Sequence, residues 1–297
     1  MYAALASAWN IVGGFSGYIS LGHAAFFGVG AYAIGIIFTH TSIGGGYPPF
    51  YALPLVGIGV AIGSLPIAWV CYRTRAATFA IVTITLLFMT QQLAYNLRSL
   101  TNGSQGIAIP TPNFPVATYE VPYYYAMLGV LALSMLASWF VRGSKLGLAL
   151  FSIRDDEDRA RGLGVQTEFA KLSSFALSAG LVAMAGGVWA YYISFIYPQF
   201  AVDPLVTIGM VLMVYLGGRG TIWGPVLGAF ILVPAQQYLA YRLGASELYL
   251  VGYSAVFLVV MLLLPRGILP SLRDRMRKLR VRRPPSPERR TEEVAAS

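Results

Sequence analysis

The chain has 297 residues, 57% of them hydrophobic and only 11% charged, with a mean hydropathy of +0.64; a soluble domain carries about a quarter charged residues, which argues against a water-soluble protein. The formal net charge of +9 is unevenly placed: residues 266–297 hold 14 charges and contribute +6, residues 142–172 hold 11 that nearly cancel, and residues 1–72 hold none. A basic tail directly after an apolar stretch follows from retention on the cytoplasmic face, which removes the case for nucleic acid as a partner and leaves the lipid bilayer.

In chain order, the charges and the Pro and Gly clusters delimit nine apolar segments: 1–16, 20–39, 51–72, 76–97, 122–141, 173–194, 204–218, 220–241 and 248–265. They predict an all-α, polytopic transmembrane helical bundle of about eight to nine membrane segments. Residues 1–265 form the membrane domain, 142–172 a cytoplasmic loop and 266–297 a basic cytoplasmic tail expected to be disordered. Segments 1–16 and 204–218 are short for about 30 Å of hydrocarbon, so they either tilt with neighbouring residues or are half-helices. The stretch 99–119 is also poor in charge, but Asn102, Gly103, Gly106, Pro110, Pro112, Asn113 and Pro115 cannot sustain a helix, and it reads as a connecting loop.

Ten of the 21 basic residues lie in the tail, which orients it inward. Counting back four segments puts the 142–172 loop on the same side, together with Arg73 and Arg75, while Glu120, Asp203 and Glu247 fall outside. The N-terminus then comes out external, as a missing preceding span would explain. No cleavable signal is visible. The single cysteine, Cys71, rules out an internal disulfide and reads as a packing residue.

Catalysis has no support in these residues. No G-x-x-x-x-G-K-[ST] loop, no H-E-x-x-H and no G-x-S-x-G occurs, and His23 and His40 are the only histidines, so catalytic residues, resident cofactors and metal ligands are all expected to be none. Transport remains. The acidic residues all sit in loops or at span ends, which weakens a proton- or sodium-driven carrier, because such carriers commonly place a carboxylate inside a span.

Two glycine-rich stretches, 13–30 and 217–228, interrupt apolar segments near opposite ends of the chain. Small residues at these spacings let helix backbones approach closely, and broken helices at membrane depth are tolerated only where buried or where they line a water-filled path. Ser20, Gly22, His23, Gly28, Gly217, Gly218, Gly220 and Gly224 are therefore candidates either for a translocation path or for tight packing. His23 reads first as a packing histidine with satisfied partners.

The 142–172 loop carries a short helical pattern. Ser152 followed by Asp155 resembles a capping box, and Arg154 to Asp158, Asp155 to Arg159 and Glu157 to Arg161 are opposite charges at i and i+4, with Gly162 and Gly164 as the stop. About nine residues of helix are below what is stable alone in water, so the segment needs a surface to dock on.

At this point a resemblance becomes specific. Ser20-Leu21-Gly22-His23-Ala24-Ala25-Phe26-Phe27-Gly28-Val29-Gly30-Ala31-Tyr32 is similar to the SLGHAAFFGxGAY signature of permeases for branched-chain amino acids in high-affinity ATP-binding-cassette importers. Ile153 to Glu157, continuing to Leu163-Gly164-Val165 and Lys171-Leu172, resembles that family's cytoplasmic segment, and Leu216 to Ala229 resembles its late glycine motif. Leu148 and Phe151 stand where that family more often carries arginine.

The resemblance implies a permease subunit of the prokaryotic inner membrane, multi-pass, with its C-terminus cytoplasmic. It implies a second homologous permease, two cytoplasmic ATP-binding subunits that use ATP and Mg, and an extracytoplasmic substrate-binding protein. Arg154, Asp155, Asp156, Glu157, Leu163 and Gly164 would form the element that docks on an ATPase subunit. A urea or short-chain amide permease, an ion-coupled carrier and an inert assembly subunit are the other readings of the same residues.

Overall fold

The computed structural model describes residues 1–40, 46–74, 76–111, 114–243, the isolated residues 255 and 258, and 267–272. It is a helical bundle. In chain order the helices are α1 Tyr2–Gly13, α2 His23–His40, α3 Pro48–Cys71, α4 Ala76–Asn96, α5 Arg98–Thr101, α6 Val121–Gly143, α7 Lys145–Asp155, α8 Glu157–Gly162, α9 Thr167–Ile193, α10 Pro198–Ala201, α11 Pro204–Gly217 and α12 Gly224–Leu243.

Eight of the nine apolar segments expected from the sequence coincide with α1, α2, α3, α4, α6, α9, α11 and α12. The ninth, 248–265, apart from residues 255 and 258, and most of the tail lie outside the described residues. Five described stretches, 48–71, 77–96, 121–143, 167–193 and 198–217, are long and apolar enough to cross a membrane. The helical form follows from the solvent: lipid offers the backbone no partners, so each N–H and C=O must be satisfied within its own segment. α9 is the central helix, with 72% of its apolar window buried against 22% for α4 and α6. The outward faces of α3, α4 and α6 carry exposed large apolar residues such as Leu55, Ile62, Phe88, Leu93, Leu136 and Phe140, a surface fit for lipid.

Small residues set the contact between α2 and α9. A Cβ on Gly30 of α2 would strike the Ala183 carbonyl of α9, and one on Gly186 of α9 would strike the Phe27 carbonyl. The two backbones therefore touch where larger side chains would hold them apart.

The 99–119 connection contains α5, two 3-10 turns and the two-residue strand β1 (Ile107–Ala108). β1 pairs antiparallel with β2 (Phe195–Ile196), Ile107 opposite Ile196 and Ala108 opposite Phe195. Beside it Tyr47, Phe50, Phe114, Tyr119, Tyr123 and Tyr191 form a chain of ring contacts 5.3–6.5 Å apart. Such a belt suits a membrane–water boundary. α7 and α8 occupy the other end of the bundle.

Two boundaries differ from the sequence expectation. The connection between the two long helices is 144–166, shorter than the 142–172 stretch read from the charges, because α6 runs on to Gly143 and α9 begins at Thr167. α9 thus includes Glu168 and Lys171, charges taken from the sequence as outside the span. Lys171 can sit there, 1% exposed, because a carboxylate meets it.

Candidate functional site

The segment between α6 and α9 is two capped helices. Ser144 Oγ accepts from the Gly147 N–H at 3.4 Å to start α7, and Asp156 Oδ1 accepts from the Arg159 N–H at 3.0 Å to start α8. Asp156 is extended (φ −164°, ψ 109°), so the helix breaks there. Ser152 is therefore no N-cap; it sits inside α7, its hydroxyl donating to the Leu148 carbonyl at 2.9 Å. The break also separates Arg154 from Asp158 and Asp155 from Arg159. Arg159 instead pairs with Asp156 at 2.9 Å, and of the three expected i,i+4 pairs Glu157 to Arg161 forms, at 3.3 Å.

α8 ends at Gly162, and Gly164 two residues on has a φ of +85° that an L side chain rarely adopts. The Gly164 N–H donates to the Arg161 carbonyl and the Val165 N–H to the Ala160 carbonyl, which satisfies the last turn. The outer side of the segment presents Asp155, Asp158 and Leu163 to solvent, Leu163 being 85% exposed, with Leu148 and Phe169 also exposed.

Its inner side is fastened. Glu157 accepts from Lys171 Nζ at 2.6 Å and from the Tyr18 hydroxyl, and Lys171 also lies 5.0 Å from the Tyr18 ring and 5.2 Å from the Tyr72 ring. Burial by itself would raise the Glu157 carboxyl, but its hydrogen bonds from Lys171 and Tyr18, with the charges of Lys171 and Arg161, outweigh that and hold it below the usual carboxylate value. One turn earlier, Arg154 Nη1 donates to the Gly14 carbonyl at 3.0 Å. Burial, and then the like charge of Arg219, lower the Arg154 guanidinium from its ordinary value. Phe151, where the resemblance leads one to expect arginine, packs on Phe15 with ring centroids 5.3 Å apart.

These contacts lead into both glycine-rich stretches. After α1 the chain unwinds over residues 14–22 and folds back along that helix, so that the Trp9 indole N–H donates to the Ser20 carbonyl at 2.8 Å. The Leu21 N–H finds Thr83 Oγ1 at 3.0 Å and the Ala24 N–H finds Thr207 Oγ1 at 2.8 Å. Gly22 lies against the Thr83 backbone and Gly28 against Val202 and the Ala201 carbonyl.

His23 is fully buried. Ser178 Oγ donates to the Ala8 carbonyl at 2.7 Å, so it accepts from His23 Nε2–H at 2.9 Å, and Nδ1 accepts from the Ser20 hydroxyl at 2.8 Å. Both ring nitrogens thus have protein partners, and Phe26 and Phe175 pack on the ring.

The second stretch is a tight turn between α11 and α12. A Cβ on Gly217 would overlap the Gly224 carbonyl, Gly218 and Gly220 have φ of +123° and +75°, and the Gly224 N–H donates to Thr221 Oγ1 at 3.0 Å. Asn10 of α1 holds this turn from the side: its Oδ1 accepts from the Gly220 N–H and its Nδ2 donates to the Thr221 carbonyl, each at 2.9 Å. Arg154 lies against Gly220, and Gly267 and Pro270 lie against Gly218. Residues 14–18, the 217–224 turn, the α7–α8 segment and the start of the tail therefore meet at one end of the bundle, whereas Gly22, His23 and Gly28 lie deeper, against Thr83, Ser178 and Val202.

Asn10 and Tyr18 are the members of this cluster that sequence reasoning missed, and the role of Lys171 as partner of Glu157 was not visible in it. Asn10 is the sole amide side chain within an otherwise apolar first segment, the one signal that marked it. A groove of about 620 Å³ between α2 and α3 is lined mostly by apolar residues, among them Phe26, Val29, Ile37, Leu55 and Ile67, and by Ser64, whose hydroxyl donates to the Ala61 carbonyl, so it offers no charged partner to the ends of an amino acid. Among the described residues no group of histidine, cysteine and carboxylate side chains has metal-binding geometry.

A family model described as branched-chain amino acid transport system / permease component matches residues 1–265. The chain is 26% identical to the high-affinity branched-chain amino acid transport system permease protein LivM of Escherichia coli, over 93% of this chain and 69% of that protein. It is 28% identical to the corresponding permease protein LivH of Salmonella typhimurium, over 90% of this chain and 91% of that one. A shorter likeness, 34% identity over 37% of this chain and 33% of the relative, joins it to the autoinducer 2 import system permease protein LsrC of Salmonella paratyphi B. No solved structure matches.

Proposed function

The chain belongs to the family of permease components of branched-chain amino acid transport systems, and from that we propose that it forms, with a second homologous permease, the membrane pathway of an ATP-binding-cassette importer for these amino acids. ATP is hydrolysed by two separate cytoplasmic subunits, and an extracytoplasmic binding protein delivers the substrate. The chain itself binds no cofactor and carries out no covalent chemistry.

The observation that carries this reading is the two-sidedness of the 144–166 segment. Outside, it offers Leu163, Leu148 and the carboxylates of Asp155 and Asp158, an apolar anchor beside charges that suits a protein partner. Inside, Arg154 and Glu157 fasten it to the 14–22 and 217–224 stretches. A displacement of the segment by an ATPase subunit is thereby delivered to the places where α1 gives way to α2 and α11 to α12. The glycines there permit close backbone contact, and the same contacts are what moves when the pathway reopens to the opposite side.

Positive-inside retention supports a cytoplasmic placement of the α7–α8 end: Arg73, Arg142 and Lys145 lie at it, and Gly267 and Pro270, at the root of the basic tail, pack there against Gly218. Binding of the purified ATPase subunit to the chain, wild type against Leu163→Asp, tests the docking role. The variant is expected to lose binding without losing thermal stability; unchanged binding would remove the assignment.

A further inference from the structure

The end of α3 and the start of α9 enclose a polar cleft of about 310 Å³, lined by Trp69, Tyr72, Arg73, Arg161, Glu168 and Leu172. It belongs neither to the Gly14 and Gly220 contacts nor to the exposed Leu163 face. Trp69, half-exposed in the last turn of an apolar helix, marks the membrane boundary, and the Arg73 guanidinium lies 3.8 Å from its ring centroid. Buried Tyr72, stacked on Phe79 at 4.6 Å, adds a rigid wall. Arg161 comes from α8 and is steadied at 3.3 Å by Glu157, which is itself pinned by Lys171.

The cleft therefore sets two guanidinium groups and one carboxylate beside an aromatic ring, at the level where lipid headgroups lie. We propose that it binds a phospholipid headgroup of the phosphoethanolamine type, its phosphodiester on Arg73 and Arg161 and its ammonium on Glu168. Guanidinium groups match phosphate oxygens in charge and geometry, and basic pockets at the cytoplasmic ends of membrane helices take lipid phosphates. Glu168 decides between lipids. It repels a purely anionic headgroup, whereas a primary ammonium donates hydrogen bonds to it; a quaternary ammonium has no N–H to give. The lipid bears directly on Arg161, and so on the helix that carries the exposed docking residues. The inference rests on the membrane placement of the chain alone, not on its ATPase partners.

The test uses the full chain purified in detergent, its thermal unfolding midpoint titrated with phosphatidylethanolamine, phosphatidylglycerol and phosphatidylcholine of identical acyl chains, and with inorganic phosphate. Phosphatidylethanolamine is expected to half-saturate lowest. Arg73→Gln raises that concentration about fivefold, the weight of one basic residue at a membrane surface, and Glu168→Gln abolishes the preference over phosphatidylglycerol. Equal or stronger stabilisation of the wild type by phosphatidylglycerol or phosphatidylcholine overturns the proposal. So does a response unchanged in Arg73→Gln. Inorganic phosphate that gives the same saturable shift and displaces the lipid overturns it in favour of a free-anion site. Should Arg73→Gln fail to fold, Glu168→Gln, at an exposed position, decides through the ratio of ethanolamine to glycerol lipid that co-purifies: a ratio equal to wild type overturns the proposal and a fall supports it.

Discussion

Asn10 and Gly220 stand 210 positions apart and share a 2.9 Å hydrogen bond, donated by the Gly220 N–H to the Asn10 side-chain oxygen, while the Asn10 amide returns a bond to the Thr221 carbonyl. One buried amide thus satisfies a donor and an acceptor of a backbone turn that has no ladder of its own. Asn10→Leu leaves both groups unpaired, at about 1–3 kcal/mol for each buried orphan. The detergent-solubilised variant is expected to unfold several degrees below wild type; an unchanged midpoint would show that the turn does not depend on α1.

The Glu157–Lys171 pair is expected to behave as a unit. Lys171 is the more deeply buried partner, with 2% of its side chain exposed against 21% for Glu157, so Glu157→Gln, which strands the ammonium, is the worse single change. Breaking such a pair costs about 3–5 kcal/mol, and apolar replacement of both partners restores much of it. Thermal midpoints of Glu157→Gln, Lys171→Met and the double variant Glu157→Leu/Lys171→Met measure this; additive losses in the double variant would contradict the coupling.

The same carboxyl sets a pH dependence. Its value is depressed below the ordinary 4.5, so the unfolded state takes up a proton first as pH falls. The stabilisation is fully present above about pH 5 and is lost as pH drops through the folded-state value. Midpoints recorded down the acid limb should fall more steeply for wild type than for Glu157→Gln. Parallel curves would mean that the pair contributes nothing there.

Glycine substitutions separate close contact from open space. Gly217→Ala places a Cβ on the Gly224 carbonyl and should abolish folded protein, as judged by size-exclusion profile after solubilisation. Gly59→Ala meets nothing within 4 Å and should behave as wild type. Folded Gly217→Ala protein would show that α11 and α12 can part at this turn.

Much of this arrangement was legible in the sequence, and the rest was hidden for identifiable reasons. Stretches without charge gave the spans, because lipid excludes unpaired charge. The same rule misplaced the start of α9, since Lys171 enters the bundle with a partner 14 positions away that spacing does not reveal. The break at Asp156 was invisible because Ser152 to Arg161 is compatible with one continuous helix; the Asp156 side chain makes the break stable by capping α8. His23 stood out as a rare polar residue, but its partner Ser178 comes from the central helix 155 positions later. The two glycine stretches were recognisable as interruptions. That Asn10 and Arg154 hold Gly14 and the 220–221 turn together follows only from tertiary structure.

In the proposed importer this chain transports amino acids only when ATPase subunits act on the 144–166 segment. The most direct test is uptake of labelled leucine and valine into vesicles holding the complete complex, with and without ATP, beside vesicles holding the permease chains alone. Accumulation that requires both ATP and the ATPase subunits, and that falls at least tenfold in Leu163→Asp, is the predicted result. Accumulation that persists in vesicles lacking the ATPase subunits would contradict it.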